Sequence, residues 1–504
     1  MKSRIEELEE KLGNYLDRIE KLELAIADSG DKHLLLSTEI NARGSTHRRH
    51  NAQAGWELPP LYKILPIVER YLATTNAILP LFHPGTLLHT VKMWSGTPQR
   101  RNRTDWAVIN VALALAHCLS DPDDSIVTGR TSTYLNHTQS VLTELIMGDP
   151  DLAVVQVVIG MAMVLQATYN LKPAAILTTT ALNLAHSLGL HIRNKSKHID
   201  PVIALQRDRV FWMAYILDRD MSMRTAQPPI QRDEDISLDL PPVEPEIDHA
   251  GFVFAADGIV KMNFFRVRVQ LAYIQGKVYD LVYSVSGLST GLEEATAKTL
   301  NTFHLLDGWT SQIPVDFQAA TLVQTDPLSL SRHFCVLYSS SHLSRFIISK
   351  SSSWDPSWVG RLQDYGSKII TGKSDQVAPV PQGWLTLLDE SRKFMALFMN
   401  VNPKDTSFVW YVFTINTDNE VKHIDEPLTS RMTSCPYISS MVCLVAQTIF
   451  DPQHEFVHYD RQLIEAGMVF LDEFSKQAGL ESLETLFHTC KELHSYVRAV
   501  RAIS

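Results

Sequence analysis

Two stretches of this chain are too apolar, on every side, to sit anywhere except inside a thick layer of other helices. "DWAVINVALALAHCL" (105–119) offers no continuous polar face, and "LAVVQVVIGMAMVLQATY" (152–169) runs 18 residues without a formal charge. A helix that is apolar all round belongs either to a large core or to a bilayer. The second stretch lies near the lower limit for a spanning helix. However, Gln156 and Gln166 interrupt it, and Asp149 and Asp151 crowd one end. Both stretches therefore predict buried core helices of a large all-α domain.

The surrounding sequence carries the same period. "PPLYKILPIVERYLATTNAILPLFHPGTLL" (59–88) reads as a helix flanked by prolines and followed by an irregular turn. "STYLNHTQSVLTELIMG" (132–148) is amphipathic. In "KPAAILTTTALNLAHSLGLH" (172–191), Ala181, Leu184, Ala185 and Leu188 form one stripe, Gly189 supplies a left-handed stop, and Leu190 stands where a capping contact is expected. The helix over 203–223 has no clean polar face. Its Arg207 and Asp218 share a side but lie about 16 Å apart at 1.5 Å per residue, so each is expected to need a partner on a neighbouring helix. "AQPPIQRDEDISLDLPP" (226–242) ends that helix and continues in extended form. Later helices are predicted over 258–283, 294–310, 327–350, 384–400, 437–450 and 460–498, with 407–434 as a strand-like, polar insertion.

The N-terminus follows a different rule. Ile5, Leu8, Leu12, Tyr15, Ile19, Leu22 and Ile26 alternate in steps of three and four, an a/d heptad repeat over about three heptads. In a parallel pair, Arg4 faces Glu9 and Arg18 faces Glu23 across the seam, both attractive, so the pattern favours a parallel homodimer. The alternative is one amphipathic helix lying on its own domain. Gly13 makes so short a zipper marginal. The predicted domains are a coiled coil over 1–28, a flexible linker over 29–57, a regulatory domain over 58–325 and a C-terminal helical region over 326–504. Within the linker, Arg43, Arg48 and Arg49 form a small basic cluster that could contact phosphate or serve nuclear import, against the commoner reading of a solvated linker.

The net charge of −10 repels naked DNA and anionic membranes overall, though a local basic patch can override the mean. Five scattered cysteines, Cys118, Cys335, Cys435, Cys443 and Cys490, fit a reducing compartment better than a disulfide scaffold. The first thirty residues are charged and heptad-patterned, unlike a secretory leader.

Five segments, in order, carry a resemblance. They are "LPLFHPGTLL" (79–88), "AVINVALALA" (107–116), "LAVVQVVIGMAMVLQ" (152–166), "LNLAHSLGLH" (182–191) and "RDRVFWMAYILDRDMSMRTAQPPIQRDEDISLDLP" (207–241). Together they resemble the middle homology, or fungal-specific, domain of fungal binuclear zinc cluster transcription factors. The resemblance makes Arg207, Arg209, Phe211, Trp212, Asp218, Arg219, Pro228 and Pro229 signature residues with a structural role. That family places a short coiled coil after its DNA-reading cluster, so the zipper resembles its dimerisation element. The cluster needs six closely spaced cysteines around two zinc ions, whereas no cysteine precedes Cys118 here. The expectation is therefore a chain without its own zinc, either truncated or naturally cluster-less, that reads DNA weakly or not at all alone. The family usually has Gly where this chain has Ala226, which predicts a negative φ at that position.

Enzymatic motifs are few. "HEFVH" matches the HExxH zinc-protease pattern through His454, Glu455 and His458, but Asp460 as an N-cap would place both histidines before the helix. "DPDD" (121–124) matches an acid motif of terpene cyclases, with a turn as the simpler reading. In "RDEDISLDL" (232–240), Asp233 and Asp235 could hold a cation, against a solvated acidic loop. No catalytic residue, cofactor or metal site is expected.

The resemblance implies a nuclear regulator of a fungal metabolic or secondary-metabolite gene set, not an enzyme. It would act with DNA through a zinc cluster or through a partner, with the transcription machinery, and with a small-molecule effector. The alternatives are a cluster-less co-regulator that heterodimerises with intact zinc cluster factors, and, third, an α-helical enzyme with a polar pocket of convergent titratable groups.

Overall fold

Prolines, glycines and side-chain caps cut this chain into helices, and the cuts decide which helices meet. The computed structural model describes residues 56–118, 127–168, 170–193, 199–323, 328–353, 383–399 and 436–478, with isolated positions between and beyond them. The zipper positions Ile5 to Ile26, the arginine cluster of the linker, the 121–124 motif, Cys435, Cys490 and the 407–434 insertion lie outside the described residues.

The predicted helix over 59–88 is broken. α1 (Leu61–Ala73) ends before a one-turn helix at Thr75–Ile78, and α2 (Pro84–Gly96) follows. The break is held by Asn76, whose side-chain amide donates to the Phe82 carbonyl and whose carbonyl oxygen accepts from the Phe82 N–H, each at 2.8 Å. His83 then caps α2 and Pro84 opens it, where a missing N–H does no harm. α3 (Arg103–Cys118), α4 (Val127–Met147), α5 (Leu152–Ala167), α6 (Leu171–Ser187) and α7 (Pro201–Thr225) follow. α3 and α5 are the two all-round apolar stretches, and they pack on each other. No helix among the described residues is long and apolar enough to cross a membrane. Gln156 is buried in α5 and donates to the Leu81 carbonyl at 2.6 Å, which is how a polar residue survives there. α6 closes as its sequence predicts. Gly189 has φ +62°, its N–H donates to the His186 carbonyl, and the Leu190 N–H reaches Ala185, a Schellman motif.

The helix expected over 258–283 starts late. Strands β1 (Phe252–Phe254) and β2 (Lys261–Asn263) pair antiparallel, with Val253 opposite Met262. The reversal is an Asp-Gly turn: Gly258 has φ +70°, and the Asp257 carboxylate accepts the Ile259 N–H at 2.9 Å. Asn263 then caps α8 (Phe264–Val282) through the Arg266 N–H. α9 (Leu292–Ser311), α10 (Leu328–Ser353), α11 (Trp384–Phe398), α12 (Pro436–Phe450) and α13 (Val457–Ala478) complete the described helices of eight or more residues. Among the described residues the fold is thus all-α apart from one small hairpin. α8 packs on α7 on one side and on α9 and α10 on the other. One buried cluster among the described residues runs from Ile78 through Phe264, Phe334 and Phe394 to Leu471.

α3 and α5 touch at Gly160, where an added Cβ would lie 2.4 Å from a Val111 methyl. Gly160→Ala therefore overpacks a buried contact, and the expected loss is about 1–3 kcal/mol, read as a lowered denaturant midpoint with an unchanged slope.

Candidate functional site

Asp218, Arg219 and Asp220 are consecutive on α7, and all three are buried. Neighbouring helical residues project about 100° apart, so each of these charges finds a different partner.

Asp218 accepts the backbone N–H groups of Ile230 at 2.9 Å and Gln231 at 3.1 Å. Its partners belong to the loop that follows its own helix, not to a neighbouring helix as the sequence suggested. Burial pushes its carboxyl above the ordinary range, against the pull of these N–H groups and Arg219. Arg219 donates to the Gln231 carbonyl at 2.7 Å and to Asp233 at 2.8 Å, with its guanidinium 4.7 Å from the Tyr215 ring centroid. Gly276 on α8 admits it, since a Cβ there would stand 3.2 Å from Nε. Asp220 accepts from Arg268 at 2.8 Å and from Gln275 at 3.1 Å, both on α8.

Asp233 is the hub of the loop. It accepts from Arg219, from the Tyr215 hydroxyl at 2.8 Å, and from Lys277 at 3.1 Å. Burial alone would raise its carboxyl, but Arg219, the tyrosine hydroxyl and Lys277 outweigh that and hold it below the usual range. So 232–240 is not merely a solvated acidic loop: Glu234 and Asp235 are exposed, whereas Asp233 is tied inward.

The other signature residues serve separate junctions. Arg207 donates to the Leu188 carbonyl at the end of α6, at 2.9 Å. Arg209 grips Asp248 with both terminal nitrogens, and the Asp248 carboxylate also accepts the Ala250 N–H at 3.0 Å. Phe211 is fully buried, while the Trp212 indole donates to the Asp239 carbonyl at 3.2 Å. Pro228 is exposed and Pro229 half-buried, directly ahead of the two N–H groups that Asp218 collects. The turn into them begins at Ala226, whose φ is +53°. The negative φ expected there is overturned: the left-handed residue reverses the chain directly after α7, and Ile230 returns beside Asp218.

Beside the network lies a cleft of about 510 Å³. Its walls are Trp212 and Tyr215 of α7, Ile236, Leu238 and Leu240 of the loop, Val269, Gln270, Tyr273 and Ile274 of α8, and His304, Leu305, Gly308, Trp309 and Gln312 from α9 and its C-terminal end. None of the α8 and α9 walls was singled out from sequence. The acid and the phenol that border it, Asp233 and Tyr215, are spent on each other and on Arg219.

The HExxH match does not assemble. α13 begins at Val457, so His458 is helical and exposed, and Asp460 sits in the first turn, not at the cap. Asp460 is fully buried and grips Arg392 at 2.6 and 2.9 Å, which draws the helix start back past it. Among the described residues no group of three or more His, Cys, Asp or Glu is placed to hold a metal ion. Cys118, Cys335 and Cys443 are buried.

Residues 68–309 match the family described as the fungal specific transcription factor domain. An "ABC-transporter-regulating transcription factor" of Aspergillus oryzae is 29% identical over 450 residues, covering 88% of this chain and 47% of that protein. A protein of the same description from Aspergillus fumigatus is 31% identical over 382 residues, covering 69% of this chain and 42% of its own length. The "Fusaridione A cluster transcription factor fsdR" of Fusarium heterosporum is 24% identical over 365 residues, covering 71% of this chain and 66% of its own length. The chain thus spans about half the length of the two Aspergillus relatives. No solved structure matches it.

Two outcomes test this geometry. Ala226→Gly relieves a left-handed alanine at an exposed position, and a gain of about 1 kcal/mol is expected in denaturant unfolding. Asp208, also on α7, has one buried carboxylate oxygen without a hydrogen bond, and burial, opposed by Arg193 and Arg207, pushes its carboxyl up to about 6. A raised carboxyl favours the protonated fold, so its ionisation weakens the fold above pH 6 and not below the unfolded value near 3.8. Asp208→Asn should then stabilise the protein at pH 7, with the gain shrinking through pH 6 and gone by about pH 4, measured as thermal midpoints across that range.

Proposed function

Starting from the fact that this chain carries a fungal specific transcription factor domain at residues 68–309, we propose that it is a nuclear transcription regulator whose helical domain works by changing shape, not by making or breaking bonds. The observation that carries this reading is the state of Asp233. An acid beside a cleft that was meant for catalysis would keep a proton-accepting oxygen free, but this one is committed to Arg219, Tyr215 and Lys277. What the network does instead is fasten the 230–240 loop to α7 and α8 around an apolar space. Release of that fastening would supply the second state that a conformational regulator needs.

The names of the relatives point to the gene set. Two are named for regulating an ABC transporter and one for a secondary-metabolite cluster, and we place this chain with regulators of fungal transport or secondary-metabolite genes. Dimerisation through Ile5, Leu8, Leu12, Tyr15, Ile19, Leu22 and Ile26, a small-molecule effector, and DNA contact through a zinc cluster or a partner's cluster belong to the same proposal. A co-regulator that heterodimerises with an intact factor would need the same zipper, so deleting residues 3–26 should abolish partner pull-down in either case.

Tethering tests the central claim. Fused to a heterologous DNA-binding domain upstream of a reporter in a fungal host, the chain should raise or lower transcription several-fold relative to that DNA-binding domain alone. Reporter output equal to that control would remove the regulatory reading.

A further inference from the structure

We propose that the cleft between α7, α8, α9 and the 236–240 loop is the binding site for an uncharged, ring-bearing, mostly apolar small molecule with one hydrogen-bonding oxygen. Its role as an effector rests on the regulatory reading above; its capacity to bind does not.

Protein interiors are close-packed, and an open apolar space of about 510 Å³ is the size that encloses a drug-sized ligand. Four aromatic side chains, Trp212, Tyr215, Tyr273 and Trp309, supply faces and edges for a flat ring. Their polar ends are mostly occupied. The Trp212 indole donates to the Asp239 carbonyl and the Trp309 indole to the Val267 carbonyl, at 3.2 and 3.0 Å. The Tyr215 hydroxyl is on Asp233. The walls therefore present carbon to whatever enters.

Charge complementarity selects a neutral guest. The one carboxylate on the lining, Asp233, already faces Arg219 and Lys277, so a cationic ligand would have to displace one of them. An anion finds no uncommitted arginine or lysine on the lining, and burying it without a partner is costly. Besides the His304 imidazole and the Tyr273 hydroxyl, Gln270 and Gln312 offer an exchangeable polar contact. Their amides meet at 3.4 Å, a long hydrogen bond between exposed groups that a ligand carbonyl or hydroxyl can replace.

The loop is the element that senses occupancy. Ile236, Leu238 and Leu240 reach the space from a segment whose near end is anchored by Asp233 and whose middle hangs on the turn after α6 through the Ser237 N–H to the His191 carbonyl at 3.0 Å. A guest packed against these three residues adds contacts that exist only with the loop in place, and so favours that arrangement.

Gly308 makes the proposal testable. It stands mid-face among the α9 wall residues, and an added Cβ there meets nothing within 4 Å. A large side chain at 308 fills the cleft without displacing the core. The probe is N-phenyl-1-naphthylamine, a neutral fluorescent amphiphile, titrated into the full 504-residue chain. Saturable binding of one probe per chain is expected, weakened at least about tenfold, a 1.4 kcal/mol change, in Gly308→Phe with the thermal midpoint not lowered. Tyr273→Ala, at a half-exposed wall position, should weaken it several-fold and serves if the first variant does not fold. Val285→Ser with Leu288→Ser removes an exposed apolar patch elsewhere and should leave binding unchanged. The site is overturned by an absence of saturable binding, by undiminished binding in both cleft variants, or by loss in the patch variant instead. The ligand class is overturned if the anionic 8-anilinonaphthalene-1-sulfonate binds the cleft more tightly than the neutral probe. A silent tethered reporter from the unsubstituted chain with saturable probe binding fails the regulator and keeps the site, and an active reporter without saturable probe binding fails the site alone.

Discussion

The guanidinium of Arg219 is the contact on which the arrangement of α7, α8 and the 230–240 loop depends. It is almost fully buried, so water cannot solvate it, and an unpaired charge at that depth is not tolerated. Its partners, the Gln231 carbonyl and Asp233, come from the loop, and the ring of Tyr215 lies against it. Loop position is thus imposed by the need to neutralise a charge on the helix. Asp220, one residue on, imposes α8 in the same way through Arg268. Adjacent charges pointing in different directions fix two neighbours at once, and the cleft is the space left between them.

This explains why so polar a network stands beside so apolar a cavity. The ionic contacts hold the backbone, and the aromatic and aliphatic side chains line what the backbone encloses. All the wall residues but Gln312 fall inside the stretch that matches the fungal specific transcription factor domain, which ends at Trp309. The buried cluster nevertheless continues through α10, α11 and α12 to Leu471 in α13, so α8 and α9 are braced from behind by helices beyond that stretch.

Most helices were legible in the sequence because their faces are chemically distinct. α3 and α5 announce themselves by lacking any polar side, and α6 by Gly189 and Leu190 at its end. What was not legible has a common cause: periodicity reports faces, not where a loop returns. Arg207 and Asp218 were rightly seen to be out of each other's reach, yet nothing in their spacing says that Asp218 would be met by Ile230 and Gln231. The Asp257-Gly258 turn was a readable hairpin signal that the following apolar run obscured, so α8 was started too early. At Ala226, residue preference pointed to negative φ, and tertiary demand won. The cleft escaped altogether, since its walls come from four segments that only folding brings together. The signature residues Trp212 and Asp218 were visible as a motif, but their division into cleft wall and loop anchor was not.

The contacts at Asp218 span only 12 and 13 residues. Closing so short a circuit costs little chain entropy, and contacts of low sequence separation form early. Pro228 and Pro229 restrict the intervening turn before it closes. The second half of α7 with its returning loop is therefore suited to nucleate, as a self-contained capsule against which the later helices condense. The grip that seats the loop in the finished protein would then also set the order in which the chain is assembled.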